Sequence, residues 1–126
     1  MAKQLEPEDY EKLFAKRPYA HVATVGPDGV PQSTPVWVQF HEGKVRFSTV
    51  EGRVKHRNLT GNPVVALSAI DPDDPYSYVQ IRGAAVLTPD PEGKLIQQLS
   101  RDYKGVPYTA DPPGTPRVIV TIDPKR

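Results

Sequence analysis

The sequence predicts a mainly β protein: a six-stranded antiparallel Greek-key barrel with short flanking helices, in a single domain over residues 1–126. Three observations lead there. Six runs rich in β-branched and aromatic residues recur along the chain, the clearest with the period-two alternation of a half-buried strand. Fifteen prolines, over twice the ordinary usage of about 5%, are scattered between those runs and form no tract. Most of the runs are close enough in sequence to pair as hairpins, and closing such a sheet removes the unpaired edges that template aggregation.

Near the start, Glu6-Pro7-Glu8-Asp9 places proline and carboxylates where a first helical turn favours them. Tyr10, Leu13, Phe14 and Arg17 follow at helical spacing, predicting a short helix to about Lys16 that stops before Pro18. Residues 19–25 and 30–40 flank Gly26-Pro27-Asp28-Gly29, a turn with a preset proline φ and a glycine tolerant of positive φ, so they form a hairpin. After His41-Glu42-Gly43, residues 44–50 alternate Val45, Phe47 and Thr49 against Lys44, Arg46 and Ser48 as a third strand. Residues 52–59 change period and read as one or two helical turns, stopped by Gly61-Asn62-Pro63. Residues 64–70 are continuously apolar, and beyond the turn at Asp71-Pro72-Asp73-Asp74-Pro75, residues 76–88 complete a second hairpin. Asp90, Pro91 and Glu92 read as N-cap, first-turn proline and early carboxylate of a helix whose apolar stripe is Leu95, Ile96, Leu99 and Tyr103. Residues 104–116 lack periodicity, as functional or disordered loops do, and residues 117–122 close the chain as the sixth strand.

Sixteen Lys and Arg against fifteen Asp and Glu leave a net charge of +1, so no global field draws nucleic acid or an anionic membrane. Any anion site has to be local. Cysteine is absent, which excludes disulfides, thiolate metal sites and thiol redox chemistry and suits a reducing cytoplasm. The charged start has no apolar leader, and no apolar run approaches the roughly 20 residues that span a bilayer. A soluble cytoplasmic protein is expected. His21, His41 and His56 show no metal-ligand spacing, Asp71 to Asp74 lack the EF-hand pattern, and Ser33, Ser48 and Ser77 have no glycine elbow.

Charge concentrates in one place. In the stretch STVEGRVKHRNL, residues 48–59, Arg53, Lys55 and Arg57 stand two residues apart directly after a strand. On a helix Arg53 and Arg57 share a face at i and i+4 and repel by about 0.2–0.5 kcal/mol. In one reading Glu51 supports Lys55 from four residues away and the rest is solvated surface. In the other, a strand end, Gly52 and a first helical turn aim backbone N–H groups at an anion while the cations close around it, a phosphate site without a Walker loop.

The order FSTVEGRVKHRNL, preceded by ATVGPDGVPQSTPVWVQF and followed by NPVVALSAIDPDDPYSYVQIRGAAVLT, resembles the pyridoxamine 5′-phosphate oxidase-like superfamily of flavin and deazaflavin oxidoreductases. Within it, the chain is most similar to the branch of coenzyme F420-dependent enzymes, over residues 7–122. The resemblance implies an FMN-binding split β-barrel, a homodimer, and a cofactor groove between subunits. It implies that Arg53, Lys55 and Arg57 hold the cofactor phosphate, with Asn58 beside them. Ser48 and Thr49 fall where contacts to the ribityl chain and phosphate are made. Pro35, Val36, Trp37 and Val38 match the segment along the tricyclic ring, with Gln32, Ser33 and Thr34 on the same strand. Gln80 and Arg82, on the fifth strand, would reach the cofactor bound mainly by the partner subunit. The implied cofactor is F420, with FMN as the alternative because both carry a ribityl phosphate.

The implied reaction is hydride transfer between the deazaflavin and an unsaturated small-molecule acceptor. The chain ends in VIVTIDPKR, without the arginine- and histidine-bearing segment with which pyridoxamine phosphate oxidases grip their substrate, so a role in vitamin B6 synthesis is not expected. Other readings stand beside this one. Trp37 fits a core or interface aromatic, and Arg82 fits an ion pair with Asp102 or Glu92. The protein as a whole fits a non-catalytic carrier of F420, FMN or haem. A single-strand nucleic-acid barrel is disfavoured by the balanced charge. Tyr103 and Tyr108 are candidate lid residues of the proline-rich loop.

Overall fold

The computed structural model describes residues 2–124. A 3₁₀ turn at Pro7–Asp9 leads into α1 (Tyr10–Ala15), which buries Tyr10, Leu13 and Phe14 and ends before Pro18 as its spacing predicts. Strands β2 (Ala20–Val25) and β3 (Pro31–Val36) form the first hairpin. Gly29 takes φ +80° in its turn, and Asp28 Oδ1 accepts the Val30 N–H at 3.0 Å. Strands β4 (Gln39–His41) and β5 (Lys44–Val50) turn through Glu42 and Gly43, both at positive φ, which matches strand twist in a tight hairpin. In β5 the alternation holds: Val45, Phe47 and Thr49 are buried. Helix α2 (Val54–Gly61) precedes β6 (Val64–Asp71) and the long β7 (Asp74–Pro89), and α3 (Lys94–Lys104) precedes β8 (Arg117–Ile122).

The architecture is mainly antiparallel β with three short helices, but the strand count and closure differ from the sequence expectation. Among the described residues there are eight strands rather than six, in the order β3-β2-β6-β7-β8-β5-β4, with a two-residue β1 (Lys3–Gln4) parallel to β7. The expected strand over residues 30–40 is broken between Val36 and Gln39. There the Val38 N–H goes to the Tyr103 hydroxyl, 65 residues away, at 3.1 Å instead of to a neighbouring strand. The sheet is also open. β3 and β4 lie at the two ends of the path, and the edges are blunted in other ways. β3 carries Pro31 and Pro35, which have no N–H to offer, and β4 is only three residues long.

Strand β7 joins the halves: residues up to Ala84 pair with β6, and those from Ala85 pair with β8. One core, including Phe14, Val22, Phe47, Leu59, Leu67, Ile81, Val120 and Ile122, fills the space between them. At the crossover a Cβ on Gly83 would stand 2.8 Å from the Asp123 carbonyl oxygen. Gly83→Ala is therefore expected to destabilise the fold by about 1–3 kcal/mol through backbone displacement. Urea unfolding measures this, and an unchanged midpoint would show that the two strands part freely.

Helix α3 begins at Lys94, later than the Asp90 cap predicts, with Gly93 at φ +65° as the residue before it. Asp90 still caps it: its two carboxylate oxygens accept the Lys94 and Leu95 N–H groups at 3.1 and 2.9 Å. Leu95, Ile96 and Leu99 form the buried stripe, and α3 packs against β5.

Candidate functional site

A groove of about 310 Å³ runs between the end of β3, the end of β5 and α3. Its lining includes Pro35 to Trp37 at the end of β3, Ser48 and Thr49 of β5, Arg53 and Lys55 at the start of α2, and Ile96 and Leu99 of α3. The docking of α2 places the cations. Leu59 is buried in the core, and buried Asn58 donates from Nδ2 to Thr24 Oγ1 at 3.0 Å, fastening the helix to β2. Asn58 thus acts as a fastener and does not line the groove.

Lys55 reaches into the groove and donates to Thr34 Oγ1 at 2.8 Å. Burial, and then the neighbouring Arg53 charge, hold its pKa below the usual lysine range. A half-buried ammonium with a hydroxyl partner and a like charge beside it favours an anion. No carboxylate lines the groove among the described residues. Glu51, the sequence-level partner for Lys55, lines a different cavity with His56. Arg57 is exposed and outside the groove. The Arg53 N–H is taken by Val50 O at 3.1 Å and the Gly52 N–H by His56 Nδ1 at 3.1 Å, so neither amide is available to an anion.

Among the described residues, three polar side-chain atoms are buried without a protein partner: Ser48 Oγ, Thr49 Oγ1 and Gln32 Oε1. An unmet buried group costs about 1–3 kcal/mol. Ser48 and Thr49 both line the groove, but their side chains alternate to opposite faces of β5, Thr49 with the buried Val45 and Phe47. Ser33 is exposed, on the opposite face of β3 from Gln32 and Thr34, and Val38 is buried in the core.

Aromatic rings line the groove as well. Trp37 stacks on Tyr103 with centroids 5.6 Å apart at 19° and meets Tyr108 edge-on at 6.3 Å and 86°. Tyr103 belongs to α3 and is held rigidly, its hydroxyl donating to Pro18 O at 2.7 Å and accepting from Val38. Burial raises its pKa, so the phenol stays protonated. Gln80 and Arg82 line another cavity, of about 530 Å³, with Gln4, Tyr10, Gly83 and Pro124.

Five lining residues escaped the sequence reading of the cofactor contacts: Tyr19, Ile96, Leu99, Tyr108 and Arg117. Of these, Tyr108 stands in the sequence only as a candidate lid residue, and the fifth is Arg117, the first residue of β8. It is 4% exposed and bound by Asp111 through two bonds of 2.8 and 2.9 Å.

By fold this is a split-barrel protein, with a groove lined by Arg53, Lys55 and aromatic side chains. The chain belongs to the pyridoxamine 5′-phosphate oxidase family, whose model matches residues 7–126. A solved structure described as an F420 reductase is 38% identical, covering 96% of this chain and 97% of its own, with a TM-score of 0.86. A conserved hypothetical protein from Mycobacterium tuberculosis is 26% identical over 99% of this chain and 87% of its own, with a TM-score of 0.78. An FMN-binding protein related to pyridoxamine 5′-phosphate oxidase, from Nostoc punctiforme, shares the fold at 17% identity, covering 92% of this chain and 74% of its own, with a TM-score of 0.61. No helix among the described residues is long and apolar enough to cross a membrane.

Proposed function

We propose that this protein is an F420-dependent oxidoreductase that transfers a hydride between the deazaflavin and an unsaturated small-molecule acceptor. The observation that carries the reading is that Arg53 and the half-buried Lys55 line one groove that holds no carboxylate among the described residues. The likeness to the F420 reductase supports the choice of cofactor.

When bound, the deazaflavin supplies the hydride chemistry, and the chain supplies position and electrostatics. Arg53 and Lys55 hold the phosphate, while Ser48 and Thr49 hydrogen-bond the polar chain between phosphate and ring. Pro35 to Trp37 line the ring, and the wall of Ile96 and Leu99 excludes water from its face. Thr34 keeps the Lys55 ammonium aimed into the groove.

The site is completed by a second copy. Val64, Ile70 and Val86 on β6 and β7 are exposed at 59%, 54% and 61%, and with Ser68, Gln80 and Arg82 between them they give a mixed outward face for a homodimer contact. Gln80 and Arg82 alternate outward on the same strand. In that dimer they reach the partner's cofactor. Sedimentation as a monomer at micromolar concentration would contradict the assembly.

The functional test is a side-by-side fluorescence titration of the apoprotein with F420 and FMN. Tight binding of F420 followed by acceptor turnover supports the reading. Preference for FMN moves the protein to flavin chemistry, and F420 binding without turnover of any acceptor makes it a carrier.

A further inference from the structure

We propose that His56 is a positioning residue for the two groove cations: its neutral imidazole pins the turn that carries Arg53 and Lys55, and protonation of the ring releases that turn. The inference deepens the functional reading above and rests on it for the identity of the ligand, but not for the hydrogen bond or its titration.

The turn needs a fastener. β5 ends at Val50 and α2 begins at Val54, so Glu51 to Arg53 redirect the chain, with Gly52 at φ +90°. Arg53 is the N-cap of α2, but a guanidinium has no acceptor, and no side-chain capping bond is made there. In a capping box the third helical residue reaches back to the N-cap N–H. His56 holds that third position and reaches one residue further, where its Nδ1 accepts the Gly52 N–H at 3.1 Å. The neighbouring Glu51 and Arg53 N–H groups go to backbone oxygens, Pro116 O at 2.9 Å and Val50 O at 3.1 Å. Of these three bonds, only the one to His56 has an acceptor that titrates. Its helix side is fixed, because Leu59 and the Asn58–Thr24 bond anchor α2 to the core. Its turn side is exposed from Glu51 to Arg53, so losing the bond frees the turn and not the helix.

A neutral imidazole accepts through one nitrogen, whereas an imidazolium donates through both. Protonated His56 therefore meets the Gly52 N–H donor to donor. The ring lines a cavity of about 340 Å³ apart from the groove, so it acts through the turn and not on a ligand. The charged groups facing that cavity are Glu51 and Arg117, the latter paired with Asp111, while β7 contributes only Leu87 and Pro89. On its own element the charges are Arg53, Lys55 and Arg57.

Sulfate titration of the isotope-labelled full chain, followed by NMR at the amides of residues 50–57, tests this between about pH 8 and pH 5, the range in which histidine changes charge. Sulfate is a dianion throughout. Wild type is expected to bind it about three-fold or more weakly at the acid end, the scale of one lost capping bond, with loss of Gly52 amide protection against exchange. The imidazolium charge by itself attracts the anion, so a fall reports the bond and a rise reports charge alone. His56→Gln keeps an uncharged acceptor at the same position and is expected to hold the tight affinity and the Gly52 protection across the range. His56→Ala is expected to bind weakly throughout. The Lys55 titration is common to all three chains and cancels in their comparison.

A wild-type affinity that rises in acid, a wild-type profile parallel to that of His56→Gln, tight binding by His56→Ala, or no sulfate binding by wild type at either pH overturns the proposal. Gly52 protection that falls in acid while sulfate affinity stays level reduces His56 to a structural cap and overturns the positioning role. Sulfate makes no use of a cofactor ring, so a chain that failed to bind F420 would still give these profiles, and the two failures remain distinct.

Discussion

Replacing Arg53 and Lys55 together by alanine is expected to weaken F420 binding by about 3–6 kcal/mol, since each charge-assisted bond is worth about 1.5–3. The unfolding midpoint should move by no more than a few degrees. Lys55 contributes no net stability through its charge, because burial, and then Arg53, make its protonated form less favourable in the fold than in the unfolded chain. The same shift sets the pH dependence. The folded pKa lies below the unfolded one, and a bound anion raises it, so binding draws in a proton at alkaline pH. Affinity therefore falls as pH rises through the depressed Lys55 pKa, earlier than an ordinary lysine predicts. Lys55→Ala should lose that alkaline limb. Arg57→Ala, exposed and outside the groove, should bind like wild type. Fluorescence titration across pH, paired with thermal unfolding, reads all of these. Undiminished affinity in the double variant would return the cluster to surface charge.

Removing Asp111 acts on stability instead. Asp111→Ala is expected to cost about 3 kcal/mol, the low end for breaking a buried ion pair, because it leaves the Arg117 guanidinium in a site where its side chain is 3% exposed. Asp111, at 20%, is wetter and keeps the figure from rising further. Hydrogen bonding to Arg117 holds the Asp111 pKa below the usual carboxylate range. A depressed folded pKa contributes stability above the unfolded value, and that contribution disappears as pH falls through the folded value. The wild type should therefore lose stability in acid more steeply than Asp111→Ala, and the two urea midpoints should converge. Parallel midpoints down to the lowest pH at which both fold would show that the pair is not coupled to the fold.

Both predictions depend on which parts of this molecule are local. The alternation in residues 44–50, the Gly29 and Gly43 turns, the halt of α1 before Pro18 and the stripe on α3 follow from backbone sterics and side-chain period. Those act over a few residues, and the structure reproduces each. The cation cluster was equally visible, because three charges within five residues need no fold to be noticed. The α3 start shows the limit of local evidence: Asp90 supplies the cap as its position predicts, but Gly93 at positive φ delays the helix to Lys94.

What the sequence determined alone, then, is a set of strands and helices, their turns, and a local excess of positive charge after the third long strand. Only the tertiary structure decided that Arg53 and Lys55 enter the groove while Arg57 does not. That choice depends on how α2 docks through Leu59 and the Asn58–Thr24 bond, between residues 34 apart. It also decided that residues 30–40 break at Trp37, where a tyrosine from α3 takes the strand's hydrogen bond, and that a loop without periodicity becomes a wall. The physical reason is the same in each case. Period and propensity report on neighbours in the chain, whereas a buried polar group takes whichever partner the packing brings within reach, however far away in sequence.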